Sequence, residues 1–457
     1  MKTGSLGVTF SAPYEIAAVR PLRQTTPAER QEALVAAHYN TELLPQELIY
    51  IDLSTDSGVS ALSTNQLAAM AGAKFAEPGM GLAVEGSRSF ARLADQVKRV
   101  FDFPFVVPTT QGRAAERIWT KINVKPGTAV AGNMLFPSTR SHIERNGAKL
   151  IDVAGAAAHE LTSPAPFKGN VDVEMLAAVI KEHGAANISC VYVELALNAC
   201  GGQPVSLANL KEVRALTVTH GIPLFLDACR ILENSYFIQQ REPGYQQRTI
   251  LEIVRETCML ADGCTMSALK DLLVSCGGFI LTRDEAAYQK AFMQSFLDGA
   301  QLNGSAMDLL AAALEDIFLS EANIKQRVGQ VEYFWRRLNE AVPLVHPVCG
   351  HAVFVDLKKF LPHWTPEKFP AEALAAFLYQ SSGIRVTKGP PAATSQKAHG
   401  IELLRLAVPA RKYLHEHLDD AVEAILYAYA QRHKIQGLQR VEAANRGKYE
   451  PAYFARR

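Results

Sequence analysis

Short apolar runs rich in Val, Ile and Leu recur along the chain between longer stretches of helical period. The runs cover residues 48–52, 105–107, 128–131, 189–194 and 223–227, and three of them end in an acid, Asp52, Glu194 and Asp227. Near-continuous apolar strands alternating with helices predict a mainly parallel sheet covered on both faces, an α/β architecture. Residues 61–71 read as a helix stopped by Gly72, and residues 204–220 as another ended by Gly221 and Pro223. From 310 to 341 a long helical period, with Glu315, Glu321 and Arg327 among apolar positions, reads as the link to a C-terminal unit. That unit holds strand-like residues 352–356 and 402–406 and a helix over 418–431, and the stretch 389–396 is the clearest loop. The polar ends of the strands in such a fold are where ligands gather.

Composition sharpens this picture. A chain of 457 residues with 48% hydrophobic positions supports a large core and a smaller second one, so two domains are expected. Lys plus Arg (47) nearly cancels Asp plus Glu (46), and neither sign forms a long run, which argues against nucleic-acid or anionic-membrane partners and for a small molecule. The seven cysteines, Cys190, Cys200, Cys229, Cys258, Cys264, Cys276 and Cys349, are odd in number and lack metal-type spacing, as expected of buried thiols in a reducing compartment rather than a metal site. No charged start followed by an apolar stretch occurs, and no segment approaches about eighteen uninterrupted apolar residues. A soluble, cytoplasmic protein is expected.

Chemistry concentrates in two places. Asp227 closes the apolar run Ile222-Pro-Leu-Phe-Leu-Asp227, and Lys270 follows in Ser267-Ala-Leu-Lys270-Asp271. Alone, each reads as a strand-end acid or a surface lysine. Together they are spaced as a pyridoxal-phosphate enzyme spaces the acid that keeps the pyridine nitrogen protonated and the amine that holds the aldehyde. Around them stand Gly201-Gly-Gln-Pro-Val-Ser-Leu-Ala-Asn-Leu210, Asp227-x-x-Arg230-x-x-Glu-Asn-x-Tyr-Phe237 and Ala261-Asp-Gly-Cys-Thr-Met-Ser267. Through these motifs the chain resembles the aromatic amino acid β-eliminating lyases, tryptophanase and tyrosine phenol-lyase. The likeness runs from Ile51-Asp-Leu-Ser-Thr-Asp-Ser-Gly58 to Leu403-Leu-Arg405-Leu-x-Val-Pro409.

The resemblance implies a fold-type I, aspartate aminotransferase-like architecture. A large pyridoxal-phosphate domain would span 58–325, and a smaller α+β domain, 13–57 with 326–457, would close over the active site. It implies Lys270 as Schiff-base residue and α-proton base, Asp227 as pyridinium partner, and Asn198 with Arg230 on the phenolic oxygen. Gln111, Gly112, Arg113 and Ser267 would take the phosphate, at a strand-to-helix turn where backbone amides favour an anion. Phe136 would lie over the ring. Arg405, with Thr55, Ser57 and Asn198, would hold the carboxylate of an L-amino acid. A homodimer or homotetramer with shared active sites is implied as well.

Departures cluster at the substrate and cation ends. Val84 stands where the family carries a proton-donating tyrosine, Glu77 or Glu85 being possible replacements, and Pro137 replaces a threonine after Phe136. Leu269, Ser275 and Leu82 replace a lysine and two groups tied to the family's monovalent cation, so a potassium requirement is doubtful. Residues 297–305 lack the family's Pro-x-Tyr-Gly-Gly pattern. The expectation is therefore β-elimination, or β-replacement, of a substituent that leaves unaided, through a C–S or C–O bond more than a C–C bond. Transamination or other α-carbanion chemistry is the alternative, and a non-catalytic cofactor-binding relative is the alternative from another class.

Overall fold

The computed structural model describes residues 13–15, 18–72, 86–319, 321–389, 400–441 and 452–457. They fall into two compact units, one mainly of residues 57–160 and 165–326, the other of 14–56, 161–164 and 327–457. Val84, Leu82, Glu77 and Glu85 lie outside the described residues, as does most of the 389–396 loop.

The first strand of the chain, β1 (Ile51–Asp52), belongs to the second unit. The next seven, β2 (Phe105–Thr109), β3 (Ala129–Gly132), β4 (Lys149–Asp152), β5 (Ile188–Glu194), β6 (Leu224–Asp227), β7 (Gly263–Ser267) and β8 (Gly278–Thr282), form one sheet in the order β2-β8-β7-β6-β5-β3-β4. Only β8 runs against its neighbours, β2 and β7; every other pair is parallel. The α/β, mainly parallel sheet expected from the apolar runs is the one that forms.

Register places the side chains. Tyr192 pairs with Phe225, and Glu194 with Asp227, across β5 and β6. Residues two apart on a strand share a face, so all four look the same way. The helix Gly112–Asn123 covers that face, with Trp119 packed 4.6 Å from the Tyr192 ring and 5.0 Å from that of Phe225. Strands β7 and β8 carry glycines where an alternating apolar pattern would be expected, and the reason is steric. A Cβ on Gly263 would lie 2.5 Å from the Leu281 carbonyl oxygen, and one on Gly278 would lie 2.6 Å from that of Met266.

Elsewhere the expected bounds move. The helix expected over 61–71 spans Thr64–Gly72. The one expected over 204–220 spans Leu207–Thr219, because the Ser206 hydroxyl caps the Asn209 amide and fixes the start. The long helical period over 310–341 resolves into two helices, Gly304–Leu319 and Ala322–Leu338, and the division between units falls inside the second, after Gln326.

In the second unit, β9 (Ala352–Asp356), β10 (Ile384–Arg385), β11 (Thr387–Lys388) and β12 (Leu403–Ala407) make a three-stranded antiparallel sheet, β11-β12-β9, and a short parallel pair, β1 with β10. The run 48–52 yields only the two-residue β1 because residues 46–48 coil into a 3-10 turn and β10 offers two partners. Helices Pro370–Ser382 and His415–Ala430 pack Leu374, Leu378, Leu418 and Ile425 against Phe334 and Leu404 in one core. No helix among the described residues is long and apolar enough to cross a membrane.

Candidate active site

In the first unit the site grows from the C-terminal ends of β5, β6 and β7. Asp227, 4% exposed, ends β6, and its Oδ1 accepts the Cys229 amide at 2.9 Å, which turns the chain sharply after the strand. The Cys229 sulfur in turn accepts the Ser267 amide at 3.0 Å, tying the end of β7 to the Asp227 turn. Lys270 lies in the turn that follows. Its neighbour Asp271, 1% exposed, accepts the backbone amides of Leu232 (2.7 Å) and Glu233 (3.3 Å) through Oδ2. An acid there caps the helix Ile231–Arg241 and satisfies N–H groups that no intrahelical partner reaches. Arg230 precedes that helix, 2% exposed, with Nη1 3.5 Å from Glu233 Oε2. The Lys270 turn and the Asp227–Arg230 turn are thus one cross-braced unit.

The helix Gly112–Asn123 enters this unit end-on, with Gln111 as its cap residue in extended backbone bridging to Gly277. A Cβ on Gly112 would lie 2.5 Å from the Ser267 Cβ, and one on Gly278 would lie 2.8 Å from the Gly112 nitrogen. Only glycine lets the helix N-terminus and the Ser267 hydroxyl come together. Arg113 and Gln111 are exposed beside it. Gly112→Ala should overpack this junction at a cost of about 1–3 kcal/mol. We expect pyridoxal-phosphate affinity to fall by about tenfold, a change equilibrium dialysis would read; an unchanged affinity would remove Gly112 from the phosphate cradle.

Phe136 sits at the start of the helix Pro137–Arg145, with Pro137 in the first helical position that suits it. The Lys270 Nζ lies 5.5 Å from the centre of the Phe136 ring. Met134, two residues earlier, has a left-handed φ of 49°, backbone strain of the kind that marks a shaped site. Asn198, 4% exposed, donates its backbone amide (3.1 Å) and Nδ2 (3.3 Å) to Glu194 Oε1.

Charge in this unit is tightly balanced. Burial pulls the Lys270 ammonium down, while the negative ends of Cys229 and Asp227 lift it above the ordinary lysine range. The Cys229 thiol is itself pushed well up, by burial and then by Asp227. Burial, then the charge on Asp227, raises Glu116 to about 7 and Glu194 to about 8. Glu194 is the residue that sequence reading passed over. Its signal was present, an acid ending the run 189–194 as Asp227 ends the run 223–227, but only the strand register puts the two side by side. Asp271 was read merely as the neighbour of Lys270.

In the second unit, Asp52 is held by a two-pronged pair with Arg385, Nε to Oδ1 at 3.0 Å and Nη2 to Oδ2 at 2.5 Å. Burial opposes its charge, but Arg385 and Ser54 hold its carboxyl below the usual range. Ser54 donates its amide (3.1 Å) and hydroxyl (2.6 Å) to Asp52 Oδ1, and its carbonyl accepts Arg405 Nη2 at 3.0 Å. Arg405 on β12, between Thr387 and Phe354, is therefore locked to the loop that carries Thr55. Ser57 follows Asp56 at the start of the first unit.

These residues meet what pyridoxal phosphate requires. An amine faces a flat aromatic ring, an acid ends a buried strand beside it, and glycine opens a helix N-terminus against a hydroxyl, where a phosphate is stabilised. All seven cysteines are free, and six are buried, Cys276 being half-buried.

Comparison with known proteins points the same way. The model of the β-eliminating lyase family matches residues 52–424. The chain is 42% identical to tyrosine phenol-lyase of Pasteurella multocida over 96% of its length and 95% of that protein's. It is 41% identical to tyrosine phenol-lyase of Symbiobacterium thermophilum over 97% and 96%. Among solved structures, serine palmitoyltransferase of Sphingomonas wittichii superposes with a TM-score of 0.64 at 15% identity, covering 89% of this chain and 97% of that one. Leishmania major threonine aldolase gives 0.60 at 16%, covering 82% and 98%. These distant structures share the fold, that of the fold-type I pyridoxal-phosphate enzymes, and the close relatives settle the lineage: the chain belongs to the β-eliminating lyase family.

Proposed function

We infer that the protein removes the α-proton of an L-amino acid and expels a β-substituent that leaves without protonation, a thiolate or an activated oxygen, with β-replacement as the variant in which a nucleophile re-adds. The family supports pyridoxal-phosphate-dependent β-elimination, and the relatives named tyrosine phenol-lyase are C–C lyases. When bound, the cofactor supplies an electron sink for the carbanion at Cα. The Lys270 amine anchors the cofactor and then holds the α-proton. Asp227 keeps its charge against the ring nitrogen, Arg230 and Asn198 serve the phenolic oxygen, and Gln111, Gly112, Arg113 and Ser267 bind the phosphate. Phe136 shields the ring from water. Arg405, with Thr55, Ser57 and Asn198, grips the substrate carboxylate.

The observation that carries this reading is the cross-braced pair of turns holding Asp227 and Lys270, with the Lys270 Nζ 5.5 Å from the Phe136 ring. Val84 in the sequence, where a tyrosine acid would be needed to protonate a phenol carbon, sets the leaving group. A potassium requirement is doubtful, because Ser275 and Leu82 stand where the family carries groups tied to its monovalent cation. Subunit sharing of the site, as a dimer or tetramer, and a cytoplasmic location complete the proposal. Product analysis tests it: an S-substituted L-cysteine should give pyruvate and ammonium, whereas accumulation of pyridoxamine phosphate would put transamination in its place.

A further inference from the structure

Glu194 ends β5 in register with Asp227 on β6, so two carboxyl side chains leave the same face of the sheet from adjacent parallel strands. They are 3% and 4% exposed. Glu194 Oε1 accepts the Asn198 backbone amide at 3.1 Å and its Nδ2 at 3.3 Å, while Oε2 is buried with no hydrogen-bond partner among the described residues. Ala196, left-handed at φ 59°, folds the chain back so that Asn198 meets the strand end it came from. Asn133 holds the Glu194 backbone on the other side, donating Nδ2 to its carbonyl at 3.1 Å and accepting its amide at 2.8 Å.

Two neighbouring carboxyls in one dry site do not both ionise, and the environment decides which keeps the proton. We propose that Glu194 is a positioning residue that carries the proton of a Glu194–Asp227 pair on Oε2, leaving Asp227 the sole anion there, while its Oε1 sets Asn198 toward the cofactor's phenolic oxygen. The proposal rests on the cofactor frame inferred above. Burial, then Asp227, raises Glu194 to about 8, with Lys270 and the Asn198 contacts opposing. The titratable groups around it are Asp227 on β6, Lys270 after β7 and Cys200 on the turn Asn198–Cys200, with Lys168 beyond Cys200. Glu116, on the helix covering this face of the sheet, is raised to about 7 by burial and then by the same Asp227.

The sign follows from the charges. When Glu194 loses its proton, a further buried carboxylate joins Asp227 beside an anionic cofactor and weakens its binding. Glu194→Gln keeps the acceptor for Asn198 and cannot ionise. The ratio of pyridoxal-phosphate dissociation constants, wild type over Glu194→Gln, should be near one at low pH and climb about tenfold as pH passes through the range in which Glu194 ionises, other titrations cancelling in the ratio. A ratio flat with pH overturns the proposal. Difference infrared spectra of the cofactor-free protein give a second reading: a carboxylic-acid carbonyl band should vanish with a midpoint near 8. Glu194→Gln should remove that band, and Glu116→Gln only the one titrating nearer 7. If wild type shows no band of the higher midpoint, the proposal fails even should the Gln variant not fold. Failure of the cofactor frame would appear instead in Lys270→Ala and leave the infrared band in place.

Discussion

Lys270→Ala should lose about four orders of magnitude in turnover and all covalent retention of the cofactor. The turnover figure follows from removing the group that takes the α-proton, a general base being worth about a hundred- to ten-thousandfold, and from losing the anchor at the same time. The structure makes this a clean test. Lys270 projects toward Phe136, while the turn that carries it is held by Asp271 on the Leu232 and Glu233 amides and by the Gly277 carbonyl on the Ala268 amide. Truncating the side chain leaves those braces intact, so the variant should fold with a near-native melting temperature. Borohydride reduction followed by peptide mapping reads the anchor directly: wild type should carry the cofactor on the peptide containing Lys270, and the variant on none. Label found on another lysine would move the catalytic centre.

The second large effect concerns the leaving group. A thiolate leaves on its own, because an ordinary thiol has a pKa of about 8.5 and its anion is stable near neutrality. A phenol expelled from ring carbon must first be protonated there, and on the proposed reading Val84 stands where the family carries that acid. Loss of one general acid is worth about a hundred- to ten-thousandfold. We therefore expect kcat/KM for an S-substituted L-cysteine to exceed that for L-tyrosine by about that factor. The difference should lie in kcat more than in KM, since an acid acts on the transition state and not on binding. Equal values for the two substrates would mean that another residue supplies the proton and that phenol expulsion is open to this chain.

Much of the proposed cofactor frame is legible in the sequence because it is written in local segments. Asp227 ends an apolar run, Lys270 follows in the motif Ser267-Ala-Leu-Lys270, and Gln111-Gly112-Arg113 marks a strand-to-helix turn. What stayed hidden depends on pairing between distant segments. The acid ending residues 189–194 acquires its meaning only from the register that sets Glu194 beside Asp227, and no local pattern states a register. Strands β7 and β8 were masked by Gly263 and Gly278, which are there because neighbouring carbonyls leave no room for a Cβ. The break between Gly304–Leu319 and Ala322–Leu338 carries neither Gly nor Pro, so helical period alone ran straight through it. In the second unit, Arg405 was legible as a strand arginine, but its bond to the Ser54 carbonyl, and through Ser54 and Asp52 to Arg385, is a chain of long-range contacts.

One measurement bears on the central claim more directly than any variant. Purified protein loaded with pyridoxal phosphate should be given an S-substituted L-cysteine, and pyruvate, ammonium, free thiol and pyridoxamine phosphate counted together. The account predicts pyruvate, ammonium and thiol in equal amounts over many turnovers, with the cofactor recovered as the aldehyde. Pyridoxamine phosphate formed in proportion to substrate consumed, or substrate returned unchanged, would contradict it.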